Sequence, residues 1–331
     1  MDRASLQRGS GRFRLLLLFL VLMMSAFGVS LMKGTVSIRP DEMIAAATGT
    51  GSGLHEQIFW NIRLPRTITG ALVGANLAVS GAILQGIMRN PLADPHIIGI
   101  SSGAGLAGVL VMLAFPAYSW LITPAAFLGA MGAAVMIYLL AWKQGIQPVR
   151  IILAGVAVSA FLSAGISALM ILYSERVHGA LVWLVGGLSA RSWPEVSMLV
   201  PYTAIGLILA FLASRPLNLL LLGDDLARGL GLRVELTRLA MTAVAALLAA
   251  SAVSVAGLLG FVGLIVPHAA RLLIGSDYRF LLPASALLGA ALITGSDTAA
   301  RLLFAPAELP VGILMAALGA PFFLFLLRRM T

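Results

Sequence analysis

The chain has 331 residues, of which 60% are hydrophobic and only 11% are charged, whereas soluble domains carry about 25% charged residues. Its mean hydropathy of +1.00 excludes an ordinary soluble domain and indicates an all-α, polytopic membrane protein. A net charge of +9 would suggest nucleic acid in a soluble protein, but here most basic residues flank apolar runs, a pattern typical of membrane topology. The absence of cysteine excludes disulfides, thiolate chemistry and cysteine metal sites.

Apolar runs that could cross a hydrocarbon core of about 30 Å, at about 1.5 Å per helical residue, predict the membrane spans. The first six lie near residues 15–32, 66–88, 97–115, 121–142, 151–173 and 196–214. The next run, residues 236–266, is too long for one crossing and contains three glycines near its end, so we expect a seventh helix and a short, discontinuous eighth. Runs at 281–296 and 311–327 complete ten helices in a single transmembrane domain, residues 1–331.

The basic residues predict the orientation, because cytoplasmic loops are enriched in Lys and Arg. Seven of the 22 fall on the face opposite the N-terminus: Lys33, Arg39, Arg63, Arg66, Arg176, Arg191 and Arg301. The majority, which include Lys143, lie on the N-terminal side. Both termini are therefore predicted to be cytoplasmic.

Residues 216–235, the polar segment, lie between two long apolar spans. Residues 219–222 and 226–230 predict two short helices, with carboxylates at the N-terminus of the second, where the helix dipole favours them, and glycines at its end. The residues that define this pattern are Gly223, Asp224, Asp225, Leu226, Arg228, Gly229 and Gly231. Such a segment is too polar to cross a bilayer and suits contact with another protein; an ordinary cytoplasmic loop is the alternative.

Two nominal catalytic or cofactor motifs fail on their context. Residues 99–103 fit G-x-S-x-G and residues 103–108 fit G-x-G-x-x-G, but both lie within a predicted membrane span, with no strand before them. The sequence also has no G-x-x-x-x-G-K-[ST], so we do not expect the chain to bind ATP by itself. No catalytic residue, metal site or permanently bound cofactor is expected, and an intramembrane enzyme that uses Ser101 is the weakest alternative.

The carboxylates distinguish between two classes of transporter. A proton- or sodium-coupled carrier keeps ionisable groups near the middle of the membrane, where they load the ion. All 13 Asp and Glu residues here fall in predicted loops or at span ends. The energy for transport is therefore expected to come from a partner, with an ion-coupled carrier as the alternative.

Three arginines lie on the face opposite the N-terminus, although Lys and Arg are usually enriched on the cytoplasmic side. Arg63 and Arg66 begin the second span, and Arg301 follows Asp297 in the last loop on that face. They are interpreted either as side chains that snorkel to lipid headgroups or as a basic patch for an acidic partner.

Several segments in one order resemble the permeases of type II ATP-binding-cassette importers for iron-siderophores, haem and cobalamin, the FecCD/BtuC type. They are residues 63–66 (RLPR), 74–81 (GANLAVSG), 89–95 (RNPLADP), 183–188 (WLVGGL), 222–231 (LGDDLARGLG), 260–271 (GFVGLIVPHAAR) and 308–312 (ELPVG). Small departures are Tyr278, where the family often has His, Met315, where Thr is common, and His96 at a variable site.

The resemblance implies a homodimer of ten-helix subunits in a bacterial inner membrane, with a pathway between the two copies. Two separate ATPase subunits, which use the ATP, would bind below, and a periplasmic binding protein would bind above. The polar segment would dock into the ATPase, and Arg63, Arg66 and Arg301 would receive glutamates of the binding protein.

The cargo prediction rests on the end of the fifth span. The resemblance places Met170, Tyr173, Arg176, His178 and Trp183 at the mouth of the pathway. Arginines suit carboxylates, and Met, Tyr and His are common ligands of haem iron, so these residues favour haem, and the sequence looks most like the haem branch. A ferric siderophore or cobalamin is the alternative, and Arg176 could instead pair with Glu175 or a neighbouring loop.

Overall fold

The computed structural model describes residues 3–34, 38–51, 53–142, 148–305 and 307–330. Within these ranges the chain is α-helical, with a π-helical turn at Ile58–Arg63 and 3-10 turns at Pro116–Leu121 and Ser174–Arg176. The α-helices are α1 (Arg3–Met32), α2 (Pro40–Thr48), α3 (Gly53–Gln57), α4 (Leu64–Met88), α5 (Pro95–Ile98), α6 (Ile100–Ala114), α7 (Ile122–Ala141), α8 (Pro148–Leu172), α9 (Val177–Val185), α10 (Trp193–Leu212), α11 (Ser214–Leu220), α12 (Asp224–Gly229), α13 (Val234–Ala256), α14 (Val262–Ile274), α15 (Tyr278–Leu303) and α16 (Val311–Met330).

The helices confirm a polytopic, all-helical membrane protein. In the described residues, seven helical stretches are long and apolar enough to cross a membrane. Three shorter apolar helices, Ile100–Ala114, Val262–Ile274 and Val311–Leu324, lie at the remaining predicted spans. Because a short helix need not cross the whole bilayer, the count of ten crossings stays a prediction.

The predicted break in residues 236–266 is present between α13 and α14. Gly257, with φ +73°, ends α13, and α14 begins five residues later. However, α14 continues past Pro267 to Ile274, beyond the predicted end of the apolar run. Pro267 has no N–H to donate to the carbonyl of Gly263, and Gln85 Nε2 donates to that carbonyl at 3.1 Å instead. A side chain of α4 thus stabilises the helix where proline weakens it.

Helices α4, α13 and α15 form the core, and glycines allow their backbones to approach. A Cβ atom on Gly74 of α4 would overlap the carbonyl of Gly289 of α15, and one on Gly81 would overlap Gly263 of α14. Lipid tails are as apolar as leucine side chains, so the hydrophobic effect does not drive helices together inside a membrane. Close packing at glycines such as these drives their association instead.

The ion pairs separate into two ends of the helical bundle. At one end, Arg12 of α1 lies 3.8 Å from Asp277, before α15. At the opposite end, Arg66 and Arg301 pair with Asp297 near the end of α15. This separation matches the two groups of basic residues predicted from sequence, although Lys143 lies outside the described residues.

The polar segment differs in its boundaries from the prediction. Its first helix, α11, begins at Ser214, directly after α10, instead of at residue 219, because Pro216 is tolerated in a first helical turn. The second, α12, begins at Asp224 instead of residue 226, so Asp224 and Asp225 lie inside the first turn. Gly223, with φ +100°, makes the bend between the two helices.

Candidate functional site

Arg66 is the centre of a charged cluster at the end of the bundle opposite Arg12. Its Nε and Nη2 atoms each donate to a different oxygen of Asp297 at 3.0 Å. Its Nη1 donates to Glu308 Oε2 at 2.8 Å. The guanidinium therefore uses its planar fork on one carboxylate and its remaining edge on another, a geometry that lysine cannot provide.

Two further arginines complete the charged cluster, which comprises Arg63, Arg66, Asp297, Arg301 and Glu308. Arg301 Nε lies 3.2 Å from Asp297 Oδ2, and its Nη2 donates to Ser30 Oγ at 3.1 Å. Arg63 Nη1 donates to the carbonyls of Leu31 and Met32, at 2.7 and 2.9 Å. The cluster ties the end of α1 to α4 and α15.

The three arginines are buried in the single chain, with 4%, 6% and 5% of Arg63, Arg66 and Arg301 exposed. They do not form an exposed basic patch, and because their guanidinium groups bond to protein atoms, snorkelling does not describe them either. The sequence did not indicate Asp297 and Glu308 as their partners. The spacing of four residues between Asp297 and Arg301 was the one local signal, since such residues share a helix face.

Glu308 is the most accessible carboxylate of the charged cluster, with 35% of its side chain exposed. It also accepts a hydrogen bond of 3.3 Å from Ser189 Oγ, in the loop after α9. Burial alone would raise the pKa of Glu308, but the hydrogen bond and charge of Arg66, with smaller contributions from Ser189 and Arg301, lower it overall. Glu308 therefore remains ionised and links α4 to two loops.

The polar segment is attached to the bundle by its own charges. Asp224 accepts two hydrogen bonds from Arg238 of α13, at 2.9 and 2.8 Å, and lies 3.5 Å from Arg89. Asn218 of α11 donates to Asp277 Oδ1 at 2.7 Å and accepts from the backbone N–H of Tyr278. Because Asp277 also pairs with Arg12, the polar segment lies at the same end of the bundle as the N-terminal part of α1.

The outer surface of the polar segment carries several exposed leucines. Ala227 is fully buried against the bundle, whereas 63% of Leu226 and 61% of Leu230 are exposed. Leu221 and Leu222, which precede the bend, are exposed as well. Arg228 pairs with Asp225 and Glu235 beside these leucines, at 3.5 and 3.2 Å. A segment that is held to the bundle by ion pairs and exposes several leucines is typical of a protein-binding surface.

The segment proposed as the mouth of the pathway, residues 170–183, contains the end of α8, a 3-10 turn and α9. Tyr173, Arg176 and His178 are exposed, and Met170 is half-buried. Arg176 Nη1 donates to the carbonyl of Leu113 at the end of α6, at 3.3 Å. In the described residues no ion pair joins Arg176 to Glu175, so Arg176 holds a neighbouring helix end instead.

Trp183 differs from the other four residues because it is buried. Its ring packs against Gly108 of α6 and borders a cavity of about 550 Å³ between α7, α9 and α10. Arg191 also lines this cavity; burial lowers the pKa of its guanidinium, an effect that the charge of Glu195 partly opposes. The C-terminus of α9 is fixed, since Gly187 donates to the carbonyl of Ala256 and Gly312 donates to that of Gly186.

Comparison with known proteins agrees with this architecture. Residues 17–329 match the model of the FecCD transport family. The chain is 41% identical to the Fe(3+)-citrate import system permease protein YfmE of Bacillus subtilis, over 95% of this chain and 94% of the relative. It is 46% identical to the cobalamin import system permease protein BtuC of Halobacterium salinarum, over 82% and 73% of the two chains.

A solved structure described as a metal-chelate type ABC transporter in an inward-facing conformation superposes with a TM-score of 0.85 and 32% sequence identity. The match covers 96% of this chain and 99% of that one. The family match and the relatives' identities extend over nearly all the helices described above. The chain therefore belongs to the FecCD transport family, the permeases of type II ATP-binding-cassette importers.

Proposed function

We propose that this chain imports haem across the bacterial inner membrane as the permease subunit of an ATP-binding-cassette importer. The import role rests on the polar segment, which exposes several leucines and is attached to α13 by the hydrogen bonds between Arg238 and Asp224. A surface of this kind can transmit movement because it is firmly joined to α13. The end that it occupies, which also carries Arg12, would be cytoplasmic, with both termini on that side.

The working complex contains two copies of the chain, two ATPase subunits and a periplasmic binding protein. Gly223, Asp224, Asp225, Leu226, Arg228, Gly229 and Gly231 form the ATPase seat. The charged cluster receives the binding protein, because its three guanidinium groups outnumber its two carboxylates and leave a positive charge that attracts acidic side chains. Arg66→Lys keeps this charge but removes the fork that bonds to Asp297 and Glu308, so it separates the charge of the cluster from the geometry of the cluster as the cause of docking.

Haem is the proposed cargo because Tyr173, Arg176 and His178 are exposed together at one end of α8 and α9. An arginine suits a propionate, while tyrosine and histidine can contact the ring or iron. A ferric chelate or cobalamin is the second candidate, favoured by relatives whose names specify ferric citrate and cobalamin. We expect Arg176→Ala to reduce haem uptake more than it reduces assembly, with smaller losses for Tyr173→Ala and His178→Ala.

The test is uptake by vesicles that contain the permease, its ATPase and its binding protein. Uptake that requires ATP hydrolysis supports the importer, whereas uptake driven by an ion gradient alone would favour the ion-coupled carrier. Haem, ferric citrate and cobalamin are offered in turn, each with the binding protein. If haem is ignored while another cargo enters, the haem proposal fails and the importer proposal stands.

A further inference from the structure

His96 lies where two interrupted parts of the bundle meet. Helix α6 has 15 residues and α14 has 13, or about 22 and 20 Å, both shorter than a hydrocarbon core of about 30 Å. The segments that precede them, α5 and residues 257–261, are in contact: a Cβ atom on Gly260 would lie 3.6 Å from His96 Cδ2. Interrupted helices at membrane depth are found where a protein lines a cavity or a transport site.

A cavity of about 420 Å³ adjoins this contact. Its walls are apolar side chains and glycines from the end of α9, residues 257–261 and the start of α16, such as Leu184, Leu258 and Ile313. His96 is the one titratable side chain among its described lining residues. A second cavity of about 210 Å³ shares His96 and Phe261 with the first. His96 thus borders two adjacent spaces.

Phe261 supports a specialised role for this region. Its φ is +67°, a left-handed conformation that strains a bulky residue, and its ring packs against Gly319 of α16. Strained backbone of this kind is concentrated at ligand sites and moving segments. The strain and both cavities therefore coincide at the break between α13 and α14.

The imidazole of His96 is available for a ligand. The backbone N–H of His96 donates to Asp94 Oδ1 at 2.8 Å, which fixes the start of α5, but in the described part of the chain the ring itself makes no hydrogen bond. An imidazole nitrogen is a common ligand of transition metals and of haem iron.

We propose that His96 coordinates the metal of the cargo during transit and thereby selects cargo with an exchangeable coordination position, such as a ferric porphyrin. The imidazole nitrogen gives its electron pair to Fe(III), and a water or a donor from the binding protein leaves, with no change of oxidation state. A ferric chelate with six filled positions gains nothing from this contact. The proposal rests on the proposed import function and adds a selecting residue that is separate from Arg176 and His178.

The experiment uses the purified full-length chain with its ATPase in lipid nanodiscs. Ferric protoporphyrin IX is compared with metal-free protoporphyrin IX, which has the same ring and carboxylates but no metal. The variants are His96→Gln and His96→Ala, with His178→Gln as the competing site and His55→Gln, in α3, as the matched control. Binding affinity and the Soret absorption band are measured, and assembly is checked by size-exclusion chromatography.

In the unmodified chain, ferric porphyrin should shift the Soret band and bind about tenfold more tightly than metal-free porphyrin, a difference of about 1.4 kcal/mol. His96→Gln and His96→Ala should abolish both the shift and the difference, while His55→Gln keeps them. An unshifted band in the unmodified chain, or a shift lost only in His178→Gln, would overturn the proposal. ATP-driven uptake of ferric citrate or cobalamin by vesicles that contain the same chain, its ATPase and its binding protein then shows whether the import function stands.

Discussion

Arg66 and Asp297 lie 231 residues apart in the sequence and form a bidentate ion pair in which both N···O distances are 3.0 Å. The pair joins the start of α4 to the last turns of α15, and both side chains are almost fully buried. Arg301 approaches the same carboxylate. Asp297 therefore bridges two buried guanidinium groups that would otherwise repel each other.

Asp297→Asn should be strongly destabilising because it leaves those two buried charges without their shared carboxylate. Removing one partner of a buried ion pair typically costs about 3–5 kcal/mol. The measurement is thermal unfolding of the purified protein in detergent. The control is Asp41→Asn, whose carboxylate is exposed and, among the described residues, pairs with the exposed Arg39 alone. Equal unfolding midpoints for the two variants would contradict the role given to Asp297.

Glu308 should make the stability of the protein depend on pH in acid. Because its pKa is lowered in the folded state, mainly by Arg66 acting against burial, its stabilising contribution is complete above its ordinary pKa of 4.5. The contribution is lost as the pH falls below that value through the lowered pKa. The difference in unfolding midpoint between the unmodified chain and Glu308→Gln should thus be constant near neutral pH and should shrink in acid. A difference that is the same at every pH would exclude this contribution.

The lengths of the apolar runs and the positions of the glycines were sufficient to predict the membrane helices and the break between α13 and α14. The pairing of Arg66 with Asp297 could not be predicted in the same way, since hydropathy carries no information about which distant side chains meet. The burial of Arg63, Arg66 and Arg301 was missed for the same reason. Charge alone suggested a surface patch, whereas the chain supplies two of its own carboxylates.

Local rules failed where tertiary contacts compensate for a weak position. Pro267 should disrupt a helix, and the sequence alone does not reveal that Gln85, on α4, satisfies the freed carbonyl of Gly263. By contrast, α2 could have been predicted, because Arg39, Pro40 and Glu42 form a helix start with Pro in the first turn and Glu42 bonded to the backbone N–H of Arg39. It was missed because α2 is too short to be a membrane span.

Gly74→Ala should destabilise the crossing of α4 and α15. The added methyl group would overlap the carbonyl of Gly289, and backbone cannot move aside as a flexible side chain can, so a cost of about 1–3 kcal/mol is expected. Gly295→Ala is the matched control, since it lies on α15 and a Cβ atom there has nothing within 4 Å. That variant should be neutral or stabilising by up to about 1 kcal/mol, because alanine favours helix. Equal effects of the two substitutions would show that the contact between α4 and α15 tolerates the added methyl group.

Leu226→Glu should separate ATP hydrolysis from uptake without unfolding the permease. Leu226 is exposed on α12, while its neighbour Ala227 is buried. A charged side chain at residue 226 is therefore hydrated in the free chain but lies against an apolar surface in the proposed complex. Loss of a central interface residue costs about 2 kcal/mol or more, and such a loss at the proposed ATPase seat should lower uptake at least about tenfold.

The comparison for Leu226→Glu is Leu54→Glu, which places the same charge on an equally exposed leucine of α3, toward the opposite end of the bundle. Both variants should keep the unmodified thermal unfolding midpoint, because neither side chain belongs to the core. Vesicles with Leu226→Glu should hydrolyse ATP with little uptake, or lose the ATPase during purification, whereas Leu54→Glu should leave both the ATPase and its coupling intact. Glutamate cannot make the apolar contact with the ATPase that is proposed for Leu226. Unimpaired uptake by a well-assembled Leu226→Glu complex would therefore show that the polar segment does not couple ATP hydrolysis to transport.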